Sequence, residues 1–277
     1  MMPAQVVRRA AAYLERHGVD APLATAELLL ASILETDRAG LYARGRVVGA
    51  TEARAFGRLL CRRCGGTPTQ HLTGETGFRS LTVSVRPGVF VPRPETEVVV
   101  DAALEAVRDV ASPVIVDVGT GTGVIALSMK QERPDAKVWA VDRSSEAIEL
   151  ASVNAARNGL EIELVQADML TGLPRTVVGC VDLVVANPPY IEPEAYAALP
   201  PEVRADPVEA LVGGIDVYER LLEQAGRVLR STGAVVVEIE ETRGPAVAAL
   251  AAAAGATVVS VAPDLAGRDR VVVARWP

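Results

Sequence analysis

From residue 114 onward the chain alternates short, almost wholly apolar runs with stretches of helical length, and this alternation restricts the fold more than any other property. The runs are Val114 to Asp117, Lys137 to Asp142, Ile162 to Gln166, Val181 to Ala186, Ala234 to Ile239, Ala256 to Val261 and Arg270 to Ala274. Helical segments lie among the first six, at Gly123 to Glu132, Ser144 to Asn158, Val217 to Leu229 and Gly244 to Ala254. Strands apolar on both sides must be covered on both sides, which implies an α/β fold with a parallel, doubly wrapped sheet. Only Gly267 to Asp269 separates the last two runs, too little for a crossover, so the seventh strand is expected to be antiparallel to its neighbour.

The first seventy residues read differently. Apolar residues recur at helical spacing in Val6 to Leu14, Leu23 to Leu34 and Phe56 to Cys64, with Gly18, Gly40, Gly45 and Gly49 as separators. Gly77-Phe78, the alternating Leu81 to Val85 and Pro87-Gly88 then predict a β-hairpin. The expected organisation is a helical domain over 1–74, a hairpin linker over 75–91 and the α/β domain over 92–277. A further helix is expected over Thr96 to Val107. Charge follows this division: residues 1–73 hold ten Arg and six Asp/Glu, whereas residues 74–277 hold eighteen Lys/Arg and twenty-nine Asp/Glu. The acidic α/β part argues against nonspecific grip on phosphate backbones, which requires clustered cations. With 49% apolar and 23% charged residues, the chain has material for a core and is not a disordered one. No uninterrupted apolar stretch approaches membrane-spanning length, and the N-terminus lacks a signal-peptide core. Three cysteines, Cys61, Cys64 and Cys180, fit a reducing compartment. A cytoplasmic protein without membrane partners is expected.

The first run ends in Asp117-Val-Gly119-Thr120-Gly121-Thr122-Gly123 and passes directly into a helix. This sets a bare backbone turn at the carboxyl edge of the sheet, where wound sheets bind ligands. Asp142 closes the second run about twenty residues later, in the position from which a carboxylate accepts hydrogen bonds from ribose hydroxyls. The spacing is G-x-G-x-G, not the G-x-G-x-x-G that seats a pyrophosphate, and Asp117 would repel a diphosphate while suiting a sulfonium or amino group. S-adenosylmethionine is therefore favoured over a nicotinamide dinucleotide.

The fourth run ends in Asn187-Pro188-Pro189-Tyr190. Two prolines fix φ and remove two N–H donors, leaving exposed acceptors, with the Asn187 amide beside them and the Tyr190 ring as a wall. Acceptors beside a methyl donor suit an NH2 nucleophile, whose nitrogen they hold as it pyramidalises. The proton becomes acidic only after alkylation, so no strong base is needed beforehand.

Residues 68–277 resemble the HemK/PrmC family of protein-(glutamine-N5) methyltransferases. The likeness rests on Asp117 to Gly123, on Asn187 to Ile191 and, most selectively, on Val91-Pro-Arg-Pro-Glu-Thr-Glu97. The resemblance implies a class I, Rossmann-like seven-stranded methyltransferase sheet with a small substrate-recruiting helical domain joined by the hairpin. It also implies action on the glutamine of the Gly-Gly-Gln motif in class 1 peptide chain release factors; separately, a monomer is expected. By resemblance, Gly119, Thr120, Gly121, Thr122 and Gly123 surround the methionine part of S-adenosylmethionine, Asp142 binds its ribose and Asp168-Met169 lies beside its adenine. Asn187, Pro188, Pro189 and Tyr190 hold the substrate amide, and Phe90 with the Arg93 to Thr96 turn covers the pocket. The chain departs from the family pattern at His71, Asp206-Pro207, Val217 and Met169.

Other features receive structural readings. Cys61-Arg-Arg-Cys64 lacks a second ligand pair, so no metal is expected. His17 reads as a helix C-terminal partner, the arginines between 38 and 63 as mostly a solvated helical face that could contact the release factor, and Glu238-Ile-Glu240-Glu241 as a solvated strand end, with a role at the functional edge as the lesser alternative. Competing functions are methylation of an exocyclic amine of adenine or guanine in nucleic acid and a noncatalytic binding module with a vestigial cofactor fold. A nicotinamide-dependent oxidoreductase is the remote third.

Overall fold

The computed structural model describes residues 1–43 and 46–277; Gly45, read above as a separator, lies outside the described residues. Contacts divide the chain into two units, Met1–Glu75 with Leu199–Ala205, and Thr76–Ala198 with Asp206–Pro277.

The first unit is helical: Pro3–Arg16, Pro22–Leu34, Arg38–Tyr42, Ala50–Cys64 and Thr69–Thr73. Proline at the first turn of the first two helices removes an N–H that would have lacked a partner. Val7, Leu14, Leu29, Leu30, Leu34, Leu41 and Phe56 close a core of their own. Gly40, expected to separate helices, instead lies inside the short helix Arg38–Tyr42, whose N-terminus is capped by Asp37 accepting from the Gly40 amide at 2.7 Å. Arg63, nearly buried, is paired with Glu202 of the segment Leu199–Ala205. His17 Nδ1 lies 2.8 Å from the Tyr13 carbonyl at the end of its helix. The cysteines are free, and the described residues contain no cluster of three or more potential metal ligands.

The second unit begins at Thr76, within the first of two paired strands, β1 (Glu75–Phe78) and β2 (Leu81–Ser84). Its main sheet comprises β3 (Val114–Val118), β4 (Lys137–Asp142), β5 (Glu163–Gln166), β6 (Val181–Ala186), β7 (Leu229–Glu238), β8 (Val258–Pro263) and β9 (Asp269–Arg275). The order is β5-β4-β3-β6-β7-β9-β8. Strands β3 to β7 run parallel, and β9 is antiparallel to both β7 and β8, as the short last connection required. β7 starts five residues before the predicted run because Leu229 pairs with Val181 ahead of a register shift. The Thr96 to Val107 helix is instead a 3₁₀ turn, Pro94–Thr96, followed by Glu97–Ala106.

Alternate residues serve opposite faces. Ile115, Leu183, Ala234 and Val236 pack with helices Glu97–Ala106 and Val124–Glu132 and with hairpin residues Phe78, Leu81 and Val83. Val116, Val184, Val235 and Val237 pack with helices Ile215–Val228 and Gly244–Ala253. The crossover from β5 to β6 contains no regular helix; Leu170, Leu173 and Val177 of that connection fill the second face directly.

Candidate active site

The chain starts the sheet at β3, winds outward through β4 and β5, then returns to β6 on the other side of β3. Reversal of winding at β3 and β6 opens a crevice at their carboxyl ends. Register makes the placement specific. Val141, Val118, Ala186 and Val237 are aligned across four strands. The next residue on each strand is Asp142, Gly119, Asn187 and Glu238, one row along one edge.

The glycine loop is shaped by its own backbone and by two carboxylates. Gly119, Gly121 and Gly123 have φ of 73°, 56° and 87°, conformations that L side chains rarely adopt. The amides of Gly119 and Thr120 both donate to the Val141 carbonyl, at 2.8 and 3.0 Å. Asp142 accepts from Gly121 N and Ser144 N, each at 2.9 Å, so it braces the loop as well as the start of helix Ser145–Asn158. Asp117 is fully buried; its Oδ2 accepts from Thr120 Oγ1 at 2.6 Å and from Ala126 N at 3.1 Å, and its Oδ1 has no partner. Burial pushes this carboxyl up to about 7 against the opposing hydrogen bonds. At Gly119 an added Cβ would meet nothing within 4 Å, so the loop borders open space. An open cradle, an unpartnered buried carboxylate oxygen and a half-buried Asp142 fit a cationic, ribose-bearing cofactor.

Asn154, unmarked by any sequence signal, ties this loop to the hairpin. Fully buried in helix Ser145–Asn158, it donates to the Thr122 and Ser84 carbonyls at 2.9 and 3.1 Å and accepts from Ser84 N at 2.7 Å.

Asn187 leaves β6 with its Nδ2 donating to Thr96 Oγ1 at 3.2 Å. Pro188 is buried, while Pro189 and Tyr190 are half-buried. Ile191 then donates to the Leu211 carbonyl at 2.9 Å and accepts from Gly213 N at 3.0 Å, which ties the Asn-Pro-Pro-Tyr loop to the segment after helix Val208–Leu211. Burial pushes the Tyr190 hydroxyl up to about 12, so it stays protonated and offers a donor and an aromatic surface, not a base.

Glu238 corrects the sequence reading. It is 2% exposed, not solvated, because β7 is central and helix Ile215–Val228 sends the Tyr218 hydroxyl to the Glu238 carbonyl at 3.1 Å. Its Oε2 accepts from Thr96 Oγ1 at 2.8 Å, and burial raises its carboxyl to about 7.

The Phe90 to Thr96 turn is held by Asp206, whose side chain is fully buried and accepts from Val91 N at 3.0 Å and from Arg93. Burial raises the Asp206 carboxyl, and the Arg93 charge and the Val91 bond oppose the shift. The Arg93 guanidinium sits 5.2 Å over the Phe90 ring. Asp168 faces outward, paired with Arg220 at 2.7 Å, while Met169 adopts a left-handed φ of 51° and packs partly against the second face.

A doubly wound sheet of this order, with a glycine loop and an Asn-Pro-Pro-Tyr loop at the switch point, defines the Rossmann-like methyltransferase class. Residues 80–201 match the family model "Methyltransferase small domain". The chain also superposes on the 16S rRNA N2 G1207 methyltransferase of Thermus thermophilus in complex with AdoMet and guanosine. That TM-score is 0.55 at 19% identity over 73% of this chain and 50% of that one, a likeness of fold alone. Residues 5–74 match the model "PrmC N-terminal domain". Release factor glutamine methyltransferase of Deinococcus radiodurans is 40% identical over 98% of this chain and 97% of its own length. That of Moorella thermoacetica is 42% identical over 98% of this chain and 95% of its own. The chain belongs to the release factor glutamine methyltransferase family.

Proposed function

We propose that this enzyme transfers a methyl group from S-adenosylmethionine to the side-chain amide nitrogen, N5, of the glutamine in the Gly-Gly-Gln motif of class 1 peptide chain release factors. The observation that supports this reading is the pairing of Val118 with Ala186, which releases the glycine loop and Asn187 side by side at one edge of the sheet. When bound, the cofactor supplies an electrophilic methyl on a sulfonium. Gly119 to Gly123, Asp142, Asp168 and Met169 would hold it, with Phe90 and Arg93 covering the pocket and Asp117 adding negative charge beneath the loop.

Asn187 Oδ1 and the Pro188 carbonyl would accept the two N–H groups of the substrate amide, with Pro189 and Tyr190 packing against it. Held this way, the substrate nitrogen would be oriented for its lone pair to take the methyl that the sulfonium supplies, and one N–H proton, acidic once the nitrogen is alkylated, would leave to solvent. Positioning in a water-poor crevice supplies the acceleration, and no side chain has to take a proton first. Residues 1–74 would recruit the release factor, 75–91 would join the parts and 92–277 would carry the chemistry. We further infer a monomeric, cytoplasmic protein; among the described residues no helix is long and apolar enough to cross a membrane.

The test is incubation with S-adenosylmethionine and a purified class 1 release factor, then mass spectrometry of the peptide containing Gly-Gly-Gln. A single methyl on that glutamine, absent with Asn187→Ala, is expected. Methyl transfer to RNA or DNA instead would refute the assignment of substrate.

A further inference from the structure

The edge row sets Asn187 next to Glu238, and Thr96 bridges them. The Thr96 hydroxyl has one proton and spends it on Glu238 Oε2 at 2.8 Å. Its oxygen can then only accept, so the amide of Asn187 must present Nδ2 to it, at 3.2 Å. Both Thr96 and Glu238 are nearly buried, at 3% and 2% exposure, so water does not stand in readily for either partner. The amide has two ends, and with Nδ2 committed, Oδ1 is the end left for the crevice. A flipped amide would offer an NH2 to a substrate that itself presents NH2, a donor facing a donor.

We propose that Glu238 and Thr96 are positioning residues that fix which end of the Asn187 amide meets the substrate, through the directional relay Glu238 ← Thr96 ← Asn187. This rests on the amide-methylation reading above. A carboxylate suits the first place because it accepts only, whereas glutamine there can donate its own NH2 to Thr96 and reverse the relay. The charged and titratable groups facing Glu238 are Arg270 on β9, which favours its ionised form, Glu95 in the same turn as Thr96, which disfavours it, and the hydroxyls of Tyr190 and of Tyr218 on helix Ile215–Val228, whose ionisation the Glu238 charge opposes. Above the value of about 7 that burial gives it, Glu238 is ionised and the direction of the relay is set.

The experiment compares Thr96→Val, Thr96→Ser, Glu238→Gln and the double variant Thr96→Val/Glu238→Gln with the unaltered enzyme at about pH 8, where Glu238 is ionised. Methyl-transfer kinetics, cofactor affinity and the ¹⁵N resonance of the Asn187 side-chain NH2 are measured. Thr96→Val and Glu238→Gln should each lower kcat by about 10- to 100-fold with substrate KM and cofactor Kd within about two-fold, the signature of lost transition-state alignment. Thr96→Ser, which keeps the hydroxyl, should stay within about three-fold, and the double variant should be no worse than the worse single one, since both break one relay. One Asn187 NH2 proton should be shifted and slowly exchanging in the unaltered protein and lose both properties in Thr96→Val. A folded Thr96→Val with full kcat, or losses that multiply in the double variant, overturns the proposal. If Glu238→Gln fails to fold, the valine and serine variants decide. If the unaltered enzyme leaves the release factor unmethylated, the amide-methylation reading fails, and the Asn187 resonance still reports whether the relay exists.

Discussion

Gly213 offers a quantitative test of how tightly the Asn-Pro-Pro-Tyr loop must be held. A Cβ built there would lie 2.3 Å from the Pro189 carbonyl oxygen and 3.0 Å from both the Pro189 carbonyl carbon and Val217 Cγ2. An ordinary contact needs roughly 1 Å more, and the atom in the way is backbone of a segment whose φ angles are locked by two prolines, so it must move as a block. Asn187 and Tyr190 flank that block. A displacement of about 1 Å at a positioning group costs on the order of 100-fold in rate, or about 2.7 kcal/mol of barrier. Gly213→Ala is therefore expected to lower kcat for methyl transfer about 100-fold while leaving cofactor affinity nearly unchanged, because the glycine loop hangs on Val141 and Asp142 instead. The control is Gly77→Ala, where an added Cβ meets nothing within 4 Å and full activity is expected. Single-turnover methylation followed by mass spectrometry, with calorimetric binding of S-adenosylmethionine, reads both quantities. A folded Gly213→Ala enzyme within about three-fold of normal kcat would show that the loop tolerates displacement and that the positioning argument is wrong.

Three further outcomes follow from the geometry. Asn154→Ala removes one buried and two part-buried hydrogen bonds and strands the Thr122 and Ser84 groups, so unfolding in urea should show a loss of about 2–4 kcal/mol and cofactor binding should weaken; an unchanged midpoint refutes the brace. Asp117 binds its proton more tightly folded than unfolded, so the stability it contributes is full below about pH 4 and is lost as pH rises towards 7. The stability of Asp117→Asn relative to the unaltered protein should accordingly rise by up to about 4 kcal/mol across that window, and a pH-independent difference would contradict the buried carboxyl. In the helical unit, Phe56→Ala should cost about 3–5 kcal/mol in a chemical melt, since Phe56 is 3% exposed in that unit's own core; a loss below about 1 kcal/mol would mean the core collapses around it.

What could be read from the sequence was what is local. The alternation of strands and helices, the antiparallel last strand and the two loops at the carboxyl edge each occupy consecutive residues whose chemistry declares itself. The partners that organise those loops were not legible, because they arrive from distant parts of the chain. Asn154 is one polar residue in an amphipathic helix, and nothing in its neighbours shows that it faces inward. Glu238 belongs to a cluster of three acids that reads as solvated, yet only the first of them falls within a central strand. Asp206 is visible as a departure from a family pattern, and only the folded chain brings it to Val91 and Arg93. The attachment of Leu199–Ala205 to the helical unit likewise has no pattern to announce it.

The place of β9 carries a consequence for how the enzyme is made. Strand β7, which ends in Glu238, hydrogen-bonds on one side to β6 and on the other to Asp269–Arg275, the last strand of the sheet to be synthesised. Until that strand emerges from the ribosome, β7 presents an unpaired edge rich in valine, and β8 has no neighbour to join. The glycine loop and the Asn-Pro-Pro-Tyr loop are both translated long before the sheet that aligns them can close. A nascent chain therefore holds both halves of its crevice in an unfinished sheet, and folding of the second unit waits on Asp269–Arg275, a window in which chaperones or aggregation compete for β7.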